Sequence, residues 1–168
     1  MNRRTLLLGL GSLPVIAYAA SALSKEATPV KSKLSKSEWK KLLPEESYRV
    51  LFEEATERPG TSVLNGEKRE GTFVCAACYN PLFASATKFE SGTGWPSFFA
   101  PINETTALGR KKDFLLLIPR TEYHCAHCGG HQGHVFDDGP KPTGLRYCNN
   151  GVALRFVPKT ETLPALRA

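Results

Sequence analysis

The sequence predicts an α+β fold that is mainly β, with N-terminal helices packed on an antiparallel, β-sandwich-like core. Three observations carry that expectation. Apolar residues recur at helical spacing only before Gly71. After Gly71, Gly and Pro interrupt the chain often, and short runs rich in Phe, Val and Leu appear between them. Two Cys-x-x-Cys pairs, Cys75-Ala-Ala-Cys78 and Cys125-Ala-His-Cys128, fall in that second region and are spaced to staple it.

The helical part comes first. Ser37 is a candidate N-cap for a short helix running through Trp39 to Leu42. Pro44 suits the first position of a second helix, and Glu45 and Glu46 are favourable in its first turn. Tyr48, Leu51, Phe52 and Ala55 give that helix an apolar face, and Pro59-Gly60 ends it. Strands are predicted at 72–75, 114–118, 134–136, 145–148 and 152–157.

The domain organisation is read around this core. Met1-Asn2-Arg3-Arg4 precedes a run free of charge through Leu23, broken by Gly9, Gly11 and Pro14. Such a run is too short and too interrupted for a comfortable membrane span, which needs about 20 apolar residues. Ala17-Tyr18-Ala19 supplies a small-x-small cleavage site. Residues 1–23 therefore read as a twin-arginine-type signal peptide, with export to the bacterial periplasm and no stable membrane span after processing. Residues 24–34 read as a mobile linker, 35–160 as the folded domain and 161–168 as a tail.

The formal net charge of +6 falls to +4 once Arg3 and Arg4 are set aside. No aromatic-interleaved basic stripe accompanies it, so a solvated surface is the expectation, not a nucleic-acid partner.

The five cysteines divide into the two pairs and Cys148. Two residues between thiolates let both face one ion, and two such turns complete a tetrahedron, so Cys75, Cys78, Cys125 and Cys128 are expected to hold one structural Zn²⁺. Two disulfides are the competing use of the same residues in an oxidising compartment.

Cys148 lies in Arg146-Tyr147-Cys148-Asn149-Asn150. On a strand, Arg146, Cys148 and Asn150 share a face. A cation beside a thiol favours the reactive thiolate. All four histidines fall in one stretch, and on a strand His134, Phe136 and Asp138 share a face. His131 and His134 with a carboxylate form a natural acid/base group. His124 and His127 are read as ordinary surface or metal-knuckle residues. Trp95, held among Gly92, Gly94 and Pro96, is a candidate aromatic plate.

Together these motifs resemble the methionine-R-sulfoxide reductase B family. The carriers are Cys75-Ala-Ala-Cys78, Pro81-Leu82-Phe83, Thr87-Lys88-Phe89 with Gly94-Trp95-Pro96-Ser97-Phe98, Cys125-Ala-His-Cys128-Gly129-Gly130, Gly133-His134-Val135-Phe136-Asp137-Asp138-Gly139-Pro140 and Arg146-Tyr147-Cys148. The resemblance covers roughly residues 35–157. It implies an oxidoreductase acting on methionine-R-sulfoxide in oxidised proteins, with Cys148 as the nucleophile that becomes a sulfenic acid. It implies that His131, His134 and Asp138 or Asp137 handle the proton, and that Arg146 activates the thiol. Trp95, Phe136 and Asn150 would face the substrate.

Many members of that family carry a resolving cysteine where this chain has Thr93. The resemblance then implies that a thioredoxin-like or other external thiol reduces Cys148 directly. Two rival readings remain: a zinc-dependent hydrolase built on the histidines, which needs a second metal, and a zinc-ribbon binding module, which a salt-dependent nucleic-acid affinity would reveal.

Overall fold

A computed structural model describes residues 31–113 and 120–167. Two helices open it, α1 (Lys36–Leu42) and α2 (Glu45–Glu53). The N-cap of α1 is Ser35, not Ser37: its hydroxyl accepts from Glu38 N–H while the Glu38 carboxylate accepts from Ser35 N–H. This reciprocal pair satisfies two orphan donors, and Ser37 has no acid three residues on to do the same. Pro44 is the N-cap of α2, so the helix begins at Glu45, one residue later than expected. The helix stops at Glu54, whose φ of 56° is left-handed, so Pro59-Gly60 comes too late to be its terminator. Trp39 stacks on Phe52 at 5.8 Å and joins the two helices.

Nine strands follow among the described residues: β1 (Gly71–Cys75), β2 (Pro81–Ala84), β3 (Lys88–Phe89), β4 (Ser97–Phe98), β5 (Leu108–Asp113), β6 (Arg120–Cys125), β7 (His131–Phe136), β8 (Arg146–Asn149) and β9 (Leu154–Pro158). They form two antiparallel sheets, one ordered β2-β1-β9 and the other β3-β4-β8-β7-β6-β5. This is the α+β, mainly β architecture expected. The aromatic core lies between the sheets: Phe83 stacks on Phe98 at 4.2 Å, Phe73 meets Phe98 edge-on at 4.9 Å, and Tyr123 meets Tyr147 at 5.4 Å. The other face of the larger sheet is then free to carry polar chemistry.

Several details differ from the sequence expectation. The predicted strand at 114–118 lies outside the described residues. The strand just before it, β5, reads Leu-Gly-Arg-Lys-Lys-Asp and shows no apolar alternation. It is the sheet's edge strand, where charges are tolerated and discourage further pairing. Residues 151–153 form a short 3₁₀ turn before β9 begins.

Both flanks of the domain are tied to the second cysteine turn. Ser32 N–H donates to the His127 carbonyl, and Leu34 packs on the core, so residues 31–34 are anchored instead of loose. Arg167 N–H donates to the Cys78 carbonyl, and His127 Nε2 lies 2.9 Å from the Arg167 carbonyl. His127 is accordingly buried, not a surface residue. No helix among the described residues is long and apolar enough to cross a membrane.

Candidate active site and metal centre

The tight turns after β1 and β6 bring the two cysteine pairs together. The four sulfurs lie within 4.8 Å of one another, with Cys75 to Cys128 at 3.7 Å and Cys78 to Cys125 at 3.5 Å. A tetrahedron of thiolates about 2.3 Å from zinc has edges of about 3.8 Å, so the donor set fits that ion. The separations are far beyond the roughly 2.05 Å of a disulfide, and all five cysteines are free. Gln132 Nε2 donates to Cys75 Sγ at 3.4 Å and Asn80 Nδ2 to Cys125 Sγ at 3.6 Å, as expected around thiolates that carry charge.

Cys148 is elsewhere, on the solvent-side face of the larger sheet. Its register partners are His134 on β7 and Ser97 on β4. Pairing Phe136 with Arg146 puts both on that same face. A Cβ on Gly133 would meet the Cys148 carbonyl at 1.9 Å, so only glycine lets β7 approach β8 here. Trp95 closes the site from a loop in which Gly94, at φ +88°, sits against Pro59 and Gly60. The indole Nε1 donates to the Glu57 carbonyl at 2.9 Å, which fixes the ring.

These residues line a cavity of about 120 Å³ walled by Trp95, His131, His134, Phe136, Cys148 and Asn150. Small-molecule and cofactor sites usually span about 300–1,000 Å³, so this one admits a side-chain-sized group. A larger groove of about 800 Å³ lies beside α2 and β9, but no cysteine or histidine lines it.

The carboxylates that serve the histidines are not the ones the sequence suggested. His134 Nε2 lies 2.8 Å from Asp113 Oδ2, which also accepts from Arg120 at 2.8 Å. His131 Nδ1 lies 2.9 Å from Glu122 Oε1, though without hydrogen-bond alignment. Burial pushes the His134 imidazole below its ordinary range, against the pull of Asp113. The ring is therefore neutral at pH 7, with its proton on Nε2 toward Asp113 and Nδ1 left as an acceptor.

Asp138 is mostly exposed and forks onto Arg146 Nε and a terminal nitrogen at 2.8 Å each. Since β7 ends at Phe136, strand alternation no longer governs Asp138, and its carboxylate turns to the guanidinium instead of a histidine. Asp137 is exposed.

Arg146 also lies 4.3 Å over the Phe136 ring. The expected lowering of the Cys148 pKa does not follow. Burial pushes the thiol above its ordinary range, and Arg146, with Thr93, offsets only part of that rise. Asn150 lines the cavity, but its oxygen accepts from Glu57 N–H and its nitrogen donates to the Gln132 carbonyl. It braces the wall as well as facing the cavity.

Sequence reasoning missed Asp113, Glu122 and Arg120. Glu122 had a readable signal, a lone acid in the strand-like run Arg-Thr-Glu-Tyr-His-Cys. It is buried and directly opposite His134 in register. Asp113 closes a charged edge strand and had none.

Comparison with known proteins agrees with this geometry. The SelR domain family matches residues 43–158. The chain is 50% identical over 122 residues to a peptide methionine sulfoxide reductase MsrB of Leptospira interrogans, covering 73% of this chain and 92% of that protein. It is 51% identical over 127 residues to the MsrB of Methanosarcina barkeri, covering 76% and 87%. It is 47% identical over 133 residues to the MsrB of Agrobacterium fabrum, covering 79% and 98%. With a cysteine-centred cavity, a separate cluster of four cysteines and near-complete coverage of such relatives, the chain belongs to the SelR-domain family of MsrB-type methionine sulfoxide reductases.

Proposed function

We propose that this protein is an oxidoreductase that reduces methionine-R-sulfoxide in proteins to methionine. The observation that carries the reading is Cys148 opposite His134 at a side-chain-sized cavity walled by Trp95. The identity to MsrB proteins supports the reaction class.

The thiolate of Cys148 attacks the sulfoxide sulfur and takes over its oxygen. Methionine leaves and Cys148 becomes a sulfenic acid, two electrons more oxidised. His134 takes the thiol proton at Nδ1, and Asp113 stabilises the imidazolium that forms. The proton then goes to the sulfoxide oxygen, with His131 beside it at 5.5 Å between ring centroids. Arg146 faces the charged sulfur, Trp95 and Phe136 hold the methyl end, and Asn150 positions the wall. Two external thiols, as in a thioredoxin-like dithiol, return Cys148 to the thiol and release water and a disulfide. Zn²⁺ at Cys75, Cys78, Cys125 and Cys128 takes no part in these steps.

Residues 1–23 support export by the twin-arginine route, through Arg3-Arg4 and Ala17-Tyr18-Ala19. That route carries folded cargo, so the metal would be acquired before export.

The test is single-turnover reduction of resolved R and S methionine sulfoxide in a short peptide, with dithiothreitol as donor. Turnover of the R form alone is expected. No turnover by folded, zinc-loaded protein would sink the reading.

Asp113→Asn is expected to lower kcat about ten- to a hundredfold with little change in KM, since the imidazolium loses its counter-charge. Asp113 raises the His134 pKa, so NMR titration of His134 should move further down in the variant. An unchanged kcat with an unchanged titration would remove Asp113 from the mechanism.

A further inference from the structure

Position 93 places a hydroxyl beside the nucleophile, and that hydroxyl is one of a row. Ser91 Oγ lies 2.8 Å from Thr93 Oγ1 and 2.8 Å from Ser97 Oγ. Ser97 is fully buried, pairs with Cys148 across β4 and β8, and can donate to the Trp95 carbonyl at 3.1 Å. The register of Ser97 with Cys148 sets this row beside the sulfur, where the Thr93 hydroxyl favours the thiolate.

Each hydroxyl both donates and accepts, and its hydrogen rotates freely. The row therefore has two senses. In one, Ser97 donates to Trp95, Ser91 to Ser97 and Thr93 to Ser91, leaving the Thr93 oxygen to accept from sulfur. In the other, Ser97 donates to Ser91, Ser91 to Thr93 and Thr93 to sulfur. The first sense suits S–H and equally the S–OH of a sulfenic acid; the second suits a thiolate. Only hydroxyl hydrogens move between them.

We propose that Thr93, backed by Ser91 and Ser97, is a positioning residue for Cys148: it donates to the thiolate before the reaction and accepts from the sulfenic acid after it. The proposal rests on Cys148 being the nucleophile. Two observations favour it. The fork of Arg146 is already engaged by Asp138, so the cation is shared. No other thiol is placed to trap the oxidised sulfur, because the remaining four form the metal cluster. A sulfenic acid that must wait for an external thiol gains from an acceptor that holds its hydrogen.

The sulfur's ionisable surroundings are Arg146 on its own strand, Asp138 beyond β7, His134 opposite, His131 beside that ring and Tyr123 on β6. None of these is altered by changing Thr93.

The test compares native protein, Thr93→Val, Thr93→Ser and Ser91→Ala, all zinc-loaded. The pH dependence of iodoacetamide alkylation is read on the Cys148 peptide by mass spectrometry. Thr93→Val is expected to lower the thiolate fraction at pH 7.5 about tenfold, as loss of a donor to a charged group does. Thr93→Ser should match native and Ser91→Ala should fall between. After a peroxide pulse, dimedone trapping should show the Cys148 sulfenic acid disappearing several times faster in Thr93→Val. An alkylation profile unchanged in Thr93→Val, or shifted as far in Thr93→Ser, overturns the proposal. Neither readout uses the sulfoxide substrate, so sulfoxide reduction persisting in Cys148→Ser would instead overturn the functional reading.

Discussion

Cys148→Ser should abolish sulfoxide reduction, a loss of at least about a thousandfold, while the zinc content and melting temperature stay native. The reason is chemical, not structural. Serine fills nearly the same space on β8, and its hydroxyl can still meet Thr93. But the site already opposes charge even on sulfur, through burial, and a hydroxyl ionises far less readily than a thiol. Nor can an oxygen nucleophile accept the sulfoxide oxygen to give a sulfenic acid. The measurement is single turnover on the R-sulfoxide peptide, with metal analysis and a thermal melt on the same sample. Retained turnover would require a different thiol to do the chemistry, and the four others are gathered in a separate cluster in the turns after β1 and β6.

Removing the metal, by a strong chelator or by Cys125→Ser, should cost several kcal/mol and leave the protein largely unfolded at 37 °C. Cys75 ends β1 of the smaller sheet with Cys78 in the turn after it, whereas Cys125 ends β6 of the larger one with Cys128 in the turn after it. An ion bound there would close a long loop and hold the two sheets in one arrangement. Without it, four thiolate-forming groups crowd a buried site with no counter-charge. Circular-dichroism melts before and after chelation, with zinc added back, read this directly. A melt that stays put after the metal is gone would mean that the aromatic core alone fixes the sheets.

The fold class and both centres were legible because their signals are local. A Cys-x-x-Cys turn declares its geometry in four residues, and Cys148 and Arg146 keep strand alternation within β8. Residues whose roles depend on pairing across strands were harder to read. Glu122 reaches the site only because β6 lies in register with β7, and Asp113 only because the edge strand β5 extends far enough. Asp138 turns to Arg146 and not to a histidine because strand alternation does not extend past the end of β7. The expected lowering of the Cys148 pKa failed for a different reason: a sequence shows a neighbouring cation but not how much water the fold removes. Charged edge strands defeat periodicity altogether, which is why Arg110, Lys111 and Lys112 gave no sign of a strand.

Ser32 and Arg167 both bond the cysteine turns: Ser32 N–H donates to the His127 carbonyl, and Arg167 donates its N–H to the Cys78 carbonyl while its own carbonyl meets the His127 ring. Segments more than a hundred positions apart along the polymer therefore share one clasp. Fraying of either should register in amide exchange at the same knuckle, and an affinity tag fused close to either would be felt there. For anyone engineering this protein, the two flanks of the folded domain are a single attachment point, and a fusion close to either needs a spacer.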